Sequence, residues 1–234
     1  MASLSITIPA YNEQATLEEV VGEALAAGRL VTDDYEVLIV DDGSTDETPE
    51  LADRLAHEHA PVRVLHHPEN RGFSGAMLSC MRNAACDYVF LGPADGQADY
   101  REVERFWRLI PDNELVFSYR IGRGDRSHRK ISSWLWYTGL RILFGQVVPE
   151  FSSLFLFRRE TLGRLPVHVR EDASNFLPVL YLRAKARNIP VGLVGTVQHE
   201  RRGGLPKGSD RGVIMRTLVE DLKLFWEIRV RGNH

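Results

Sequence analysis

Short apolar runs alternate with amphipathic stretches along the first half of the chain. Residues 4–9, LSITIP, form a β-branched run that predicts a strand. Residues 13–28, EQATLEEVVGEALAAG, follow with helical spacing, and Gly28 reads as the stop just past that helix. The alternation then continues. Strands are predicted at 35–42 (YEVLIVDD), 62–67 (VRVLHH), 87–92 (DYVFLG) and 114–119 (ELVFSY). Helices are predicted at 44–59 (STDETPELADRLAHEH), 74–85 (SGAMLSCMRNAA) and 100–110 (YREVERFWRLI). The helix at 44–59 opens on cap residues and acids, which suit a helix N-terminus. Strands separated by helices require crossover connections, so the fold class is α/β with a mostly parallel sheet flanked by helices. Such sheets bind ligands beyond the carboxyl ends of their strands.

After Arg120 the rhythm changes. A dense basic loop, RIGRGDRSHRK at 120–130, precedes an apolar helix, SSWLWYTGLRILFG at 132–145. A strand at 152–157, a helix at 175–188 and a strand at 191–200 follow. A Gly-rich basic loop, RRGGLPKGSDRG at 201–212, leads to a last helix across 213–231. The second half reads as an extension of the first, with no repeat and no low-complexity tract.

The bulk numbers narrow the class. The 234 residues are 44% hydrophobic and 26% charged, as in an ordinary globular domain with a sizeable core. Lys and Arg number 29 against 32 acids, a net −3, which argues against a nucleic-acid partner. Two cysteines, Cys80 and Cys86, are too few for a disulfide scaffold and favour a reducing compartment. The N-terminus lacks the pattern of a signal peptide, and no run approaches the roughly 20 apolar residues of a membrane span. The expectation is a cytoplasmic protein that meets a membrane only at its surface.

The predicted strand ends carry the chemistry. The first ends in PAYNE without the glycine pattern of a dinucleotide fold, which argues strongly against a dehydrogenase. Asp41 and Asp42 leave the second strand together and can accept from a base N–H or a ribose hydroxyl. Ser44, Thr45 and Asp46 fit that role or a plain cap on the next helix. Asn70, Arg71 and Gly72 precede a helix N-terminus, which suits negative oxygens. The fourth strand runs into Pro93-Ala94-Asp95-Gly96-Gln97.

Five segments in order, IPAYNE, VDDGSTDET, NRGFSGAM, SYRIGRGDRSHRKISS and HERRGGLPK, give the chain a resemblance to family 2 glycosyltransferases of GT-A fold. Within them it is most similar to the dolichol-phosphate mannose synthase group and its polyprenyl-phosphate relatives. The resemblance implies one domain over 1–234, with a nucleotide-binding half at 1–120, an acceptor half at 121–208 and a C-terminal helix at 209–234. It implies inverting transfer of a hexose from a nucleotide-sugar, of GDP-mannose or UDP-glucose type, to a polyprenyl or dolichyl phosphate. Pro9, Ala10, Tyr11 and Glu13 would line the base pocket, with Asp41, Asp42, Asn70, Arg71, Gly72 and Ala94 completing the nucleotide site. A divalent metal, Mg²⁺ or Mn²⁺, would be held by Asp95 and Gln97. Arg120, Arg123 and Arg129 would lie near the diphosphate or the acceptor phosphate. Arg201, Gly204 and Lys207 would belong to a loop closing over the donor, with Pro206 in place of a Ser. Asp95, Arg120 and Arg129 are thus the expected catalytic residues.

Two departures stand out. Pro93 and Pro149 occupy positions where relatives carry acids; Glu150 lies one position along, and Leu154 replaces an aromatic after the small pair Ser152 and Ser153. Metal binding is therefore expected to be weak without nucleotide. The prolines also motivate an alternative, a nucleotide-sugar-binding protein with impaired catalysis. A further alternative is transfer to a hydroxyl acceptor, which needs a base such as Glu171 or Asp172. The cluster Arg120, Arg123, Arg126, Arg129 and Lys130 favours a phosphate acceptor, which needs positive charge but no base. Two aromatic stripes fit either a membrane interface or packing on the sheet. They comprise Trp134, Trp136, Tyr137, Leu140, Leu143 and Phe144, and then Leu218, Leu222, Phe225 and Trp226.

Overall fold

The computed structural model describes residues 2–121, 127–144, 150–165, 175–197, 199 and 219–227, with the side chains of 127–135 outside that set. The chain runs β1 (Leu4–Ala10), α1 (Leu17–Val31), β2 (Tyr35–Asp41), α2 (Thr48–Glu58), β3 (Val62–His66), α3 (Gly72–Asn83) and β4 (Tyr88–Leu91). It continues through a 3₁₀ turn (Tyr100–Glu102) into α4 (Val103–Trp107), then β5 (Leu115–Arg120), α5 (Ser127–Phe144) and β6 (Phe151–Arg158). A second 3₁₀ segment (Arg159–Arg164), α6 (Phe176–Ala186) and β7 (Val191–Thr196) follow, and residues 219–227 are helical.

The described strands form one sheet in the order β3-β2-β1-β4-β6-β5-β7. All pair in parallel except β6, which is antiparallel to both β4 and β5. The expected parallel sheet is present, and the reversed strand is what sequence rhythm did not indicate. Its reversal has a spatial consequence. Because β6 enters where its neighbours leave, Glu150 to Ser153 lie at the edge that carries Ala10, Asp41, Leu91 and Arg120.

Strand parity sorts the core into two layers. Val37 and Ile39 pack with Ile6, Ile8, Leu17, Val20 and Phe106 on the α1/α2/α4 face. Leu38 and Val40 pack with Met77, Phe117, Phe155 and Phe176 on the face covered by α3, α5 and α6. On that second face Phe117 stacks on Phe155 at 4.6 Å, and Phe155 on Phe157 at 5.1 Å. Burial on both sides explains why β2 and β4 read as near-continuous apolar runs, while β1 buries Ser5 and Thr7 between its apolar residues.

Two local expectations change. Gly28 does not end α1; the helix continues to Val31, and Gly28 lies buried inside it. A Cβ there would stand 2.4 Å from Tyr35 Cδ2, so the glycine makes room for the first side chain of β2. The stretch 100–110 forms a 3₁₀ turn and only a five-residue helix.

Candidate active site

The carboxyl edges of β1, β2, β3 and β4 bring together four loops that are far apart in sequence. Asn12, with φ +53°, links the first to the second. Its backbone N–H donates to Ser44 Oγ at 3.0 Å, and its Oδ1 accepts from the Thr45 N–H at 2.8 Å. The Glu13 N–H donates to Thr48 Oγ1 at 2.9 Å, and Gln14 Oε1 accepts from the Glu47 N–H at 2.8 Å. These ties fix the turn carrying Pro9, Ala10, Tyr11 and Glu13. Glu13 itself is buried. Ser44 and Thr45 therefore serve the loop, while Asp46, one residue before the N-cap Glu47, accepts the Thr48 N–H on Oδ1 at 3.0 Å, a short-range turn that leads into α2.

Asp41 and Asp42 are both almost fully buried. Asp41 Oδ1 accepts from the Ser44 N–H at 3.0 Å, and its Oδ2 lies 2.8 Å from His66 Nδ1. Asp42 Oδ1 accepts from the Arg71 N–H at 2.9 Å and lies 2.7 Å from His67 Nδ1. Asn70 Nδ2 donates to the Asp42 carbonyl at 3.2 Å. Gly43, at φ +69°, passes so close to the third loop that a Cβ would meet the Glu69 carbonyl carbon at 2.6 Å. Asn70, Arg71 and Gly72 thus sit beside Asp42 at the start of α3. The Arg71 and Gly72 amides are already used, by Asp42 Oδ1 and by Asn70 Oδ1 at 3.1 Å.

The segment after β4 is held on three sides. Tyr100 donates its hydroxyl to the Pro93 carbonyl at 3.1 Å, and Thr16 donates to the Ala94 carbonyl at 2.7 Å. Thr16 sits at the N-cap of α1 but spends its hydroxyl on this segment and on the Glu13 carbonyl instead of capping. On the third side the Gln97 carbonyl accepts from the His199 N–H at 2.9 Å, and Gln97 Nε2 donates to the His199 carbonyl at 3.2 Å. Gly96, at φ +69°, makes the turn, and Asp95 Oδ1 accepts from the Gln97 N–H at 3.1 Å. Burial drives the Tyr100 hydroxyl well above its usual pKa, so it remains a donor to Pro93.

The fit to a divalent cation follows from this donor set. A carboxylate and a side-chain amide offer hard oxygen ligands, which suit Mg²⁺ or Mn²⁺. Two such residues fall short of a full coordination sphere, and Pro93 adds no side-chain donor. Among the described residues no group of three or more His, Cys, Asp or Glu is gathered for a metal. Asp95 and Gln97 therefore fit a cation that takes its remaining ligands from a diphosphate and water.

Arg120 ends β5 at the same edge, its N–H donating to the Glu150 carbonyl at 3.1 Å. Arg123, Arg126, Pro149, Glu171, Asp172, Arg201, Gly204, Pro206 and Lys207, and the side chains of Arg129 and Lys130, lie outside the described residues. Sequence reasoning missed Asn12, Thr16, Thr48, His66, His67 and His199. A signal existed for two of them, since His66-His67 ends the strand beside the one that ends in Asp41-Asp42.

An α/β sheet with acids, a helix N-terminus and a pinned turn at its carboxyl edge belongs to the class of folds that bind ligands beyond their strand ends. Residues 5–165 match the family described as glycosyl transferase family 2, and the chain belongs to that family. The undecaprenyl-phosphate 4-deoxy-4-formamido-L-arabinose transferase of Yersinia pestis (strain Pestoides F) is 27% identical over 203 residues, 85% of this chain and 60% of that protein. Its counterpart in Enterobacter sp. (strain 638) is 29% identical over 194 residues, 80% of this chain and 58% of that protein. The chain thus spans about three-fifths of the length of these relatives. Glucosyl-3-phosphoglycerate synthase from Mycobacterium tuberculosis, solved with Mn²⁺, UDP and glucosyl-3-phosphoglycerate, superposes with a TM-score of 0.68 at 23% identity. That match covers 94% of this chain and 80% of the synthase. A mannosyltransferase from Pyrobaculum calidifontis, solved with GDP-mannose and Mn²⁺, superposes with a TM-score of 0.63 at 21% identity, covering 97% of this chain and 64% of that one. The fold is therefore the GT-A arrangement.

Proposed function

We propose that the protein is a glycosyltransferase that moves a hexose from a nucleoside-diphosphate donor to a polyprenyl phosphate, with inversion at the anomeric carbon. The observation that carries this reading is the convergence of the Tyr11, Asp42, Asn70–Gly72 and Pro93–Gln97 loops at one sheet edge. The sugar-to-undecaprenyl-phosphate relatives support the acceptor class.

In this reading the Pro9–Glu13 turn and Asp42 receive base and ribose, and Asn70, Arg71, Gly72 and Ala94 lie along the sugar-diphosphate. An acceptor phosphate oxygen forms the new bond to the anomeric carbon while the bond to the donor diphosphate breaks. The phosphate is already ionised near neutral pH, so no side chain has to remove a proton. The chain's tasks are to hold two anions in line and to stabilise the departing diphosphate. Arg120, with Arg129 and the Arg201–Lys207 loop, would supply fixed positive charge. Asp95 and Gln97 would hold the cation, which lends Lewis-acid stabilisation to the leaving group.

The surface of the second half supports a place at the membrane face, where a polyprenyl acceptor resides. No described helix is long and apolar enough to cross a bilayer. Leu222 and Trp226 project from the 219–227 helix beside Lys223.

The test is transfer from radiolabelled GDP-mannose and UDP-glucose to undecaprenyl phosphate in detergent with Mn²⁺. A labelled lipid product is expected with one donor. Donor binding in a thermal-shift panel without any lipid product would overturn the transfer reading and leave a binding protein.

A further inference from the structure

The paired motif Asp41-Asp42 and His66-His67 follows from strand parity. In the parallel β2–β3 ladder Asp41 faces His66 directly, so the next residue on each strand points to the other side of the sheet. His66 engages Asp41 and, through Nε2, Asp53 of α2 at 3.1 Å, on an exposed rim. His67 is different. It is buried, with Nδ1 2.7 Å from Asp42 Oδ1 and Nε2 2.8 Å from Ser79 Oγ of α3.

We propose that His67 is a positioning residue of the nucleotide site, a ring wedged between Asp42 and Ser79 that fixes the direction of the Asp42 carboxylate. The carboxylate oxygen also takes the Arg71 N–H, so it acts as acceptor and the ring must donate from Nδ1. In that tautomer Nε2 accepts from the Ser79 hydroxyl, and both ring nitrogens are satisfied. Two donors on Oδ1 leave Asp42 one orientation about its last torsion. The other oxygen is then aimed consistently, and the start of α3 is tied to the same atom. Ser79 sits two turns into α3, so the wedge couples the pose of Asp42 to the body of the helix whose first residues line the site. This follows the general pattern in which a functional carboxylate or imidazole is oriented by a buried partner.

The inference rests on Asp42 contacting nucleotide, and the experiment separates the two. UDP and GDP affinities are measured by calorimetry for His67→Asn, His67→Gln, Ser79→Ala and Asp42→Ala, together with melting temperature and donor kinetics. The Asn amide places a donor where Nδ1 stands; the Gln amide reaches toward Ser79 and does not. His67→Gln should weaken the preferred nucleotide about tenfold and raise donor KM with kcat nearly unchanged, as expected for lost ground-state positioning. His67→Asn should stay within about threefold of the parent, with Ser79→Ala between the two. If His67→Asn and His67→Gln lose stability alike and bind nucleotide as the parent does, His67 is a packing residue and the proposal fails. Unchanged affinity in Asp42→Ala would instead remove Asp42 from the nucleotide site. Loss in Asp42→Ala without loss in His67→Gln would overturn the positioning role alone.

Discussion

At the scale of single residues, hydrogen-bond direction decides roles that residue type leaves open. Asp95 and Gln97 are the side-chain donors of a segment to which Pro93 adds none, and the turn that presents them is pinned by Tyr100, Thr16 and His199. Such a turn presents its donors without further ordering, but it presents few of them. Mn²⁺ should therefore give calorimetric heat only with nucleoside diphosphate present, and Asp95→Asn should abolish that heat and metal-dependent transfer. Tight Mn²⁺ binding to the nucleotide-free protein would contradict this. His66 carries a pH signature. Burial pulls its pKa down, but its bonds to Asp41 and Asp53 outweigh that and hold it above the ordinary 6.5. The protonated ring favours the folded state, so its contribution is complete below 6.5 and fades as pH rises through the raised value. The stability gap between the parent and His66→Gln, from urea melts at about pH 5.5 and about pH 8.5, should shrink at the higher pH. A constant gap would mean that the His66 charge does not stabilise the fold.

At the scale of elements, the strands were legible because the central ones are buried on both faces and so are rich in apolar and β-branched residues, with only small polar side chains such as Ser5 and Thr7 between them in β1. The short helices and the stop signals were less so. Gly28 looks like a terminator, yet the space it leaves is filled by Tyr35, a contact that exists only once α1 lies on β2. The aromatic stripe of α5 reads equally as membrane-facing or core. Packing assigns Trp136, Tyr137, Leu140, Leu143 and Phe144 to the core and leaves Ile142 outside, while Trp134 and Leu218 fall outside the described side chains. One buried acid joins these elements. Asp221 accepts from Trp136 Nε1 of α5 and from Asn175 Nδ2 before α6, both at 2.7 Å. Burial raises its pKa, and the two donors offset only part of that rise. Asp221→Ala would strand two donors and should cost about 2–4 kcal/mol in urea unfolding. A loss below about 0.5 kcal/mol would show that the three helical segments dock without it.

At the scale of the whole molecule, the sheet gathers the site at one edge, and among the described residues of the second half several large apolar side chains are exposed. Val219, Leu222 and Trp226 recur at spacings of three and four and are each about half exposed, with Ile142 of α5 exposed more fully. Exposed Arg141 and Lys223 belong to the same two helices. Lys223 pairs with Glu220 at 2.8 Å, so the apolar stripe itself is what suits a bilayer surface. The protein should co-float with vesicles containing about one-third phosphatidylglycerol, and Leu222→Glu with Trp226→Glu should abolish flotation while leaving nucleotide affinity intact. Absence of flotation in the parent would remove the membrane-face reading.

Sequence alone determined the alternation of strands and helices, the parallel sense of most of the sheet and the set of loops at its carboxyl edge. Those features are local, written in periodicity and in motifs a few residues long. Only the tertiary structure decided the reversal of β6, the pairing of Asp41-Asp42 with His66-His67, and the grip of Thr16, Tyr100 and His199 on the Pro93–Gln97 turn. These depend on which strands lie side by side and on which face each residue points to. Contacts spanning 78 residues from Thr16 to Ala94, or 102 from Gln97 to His199, leave no trace in local pattern.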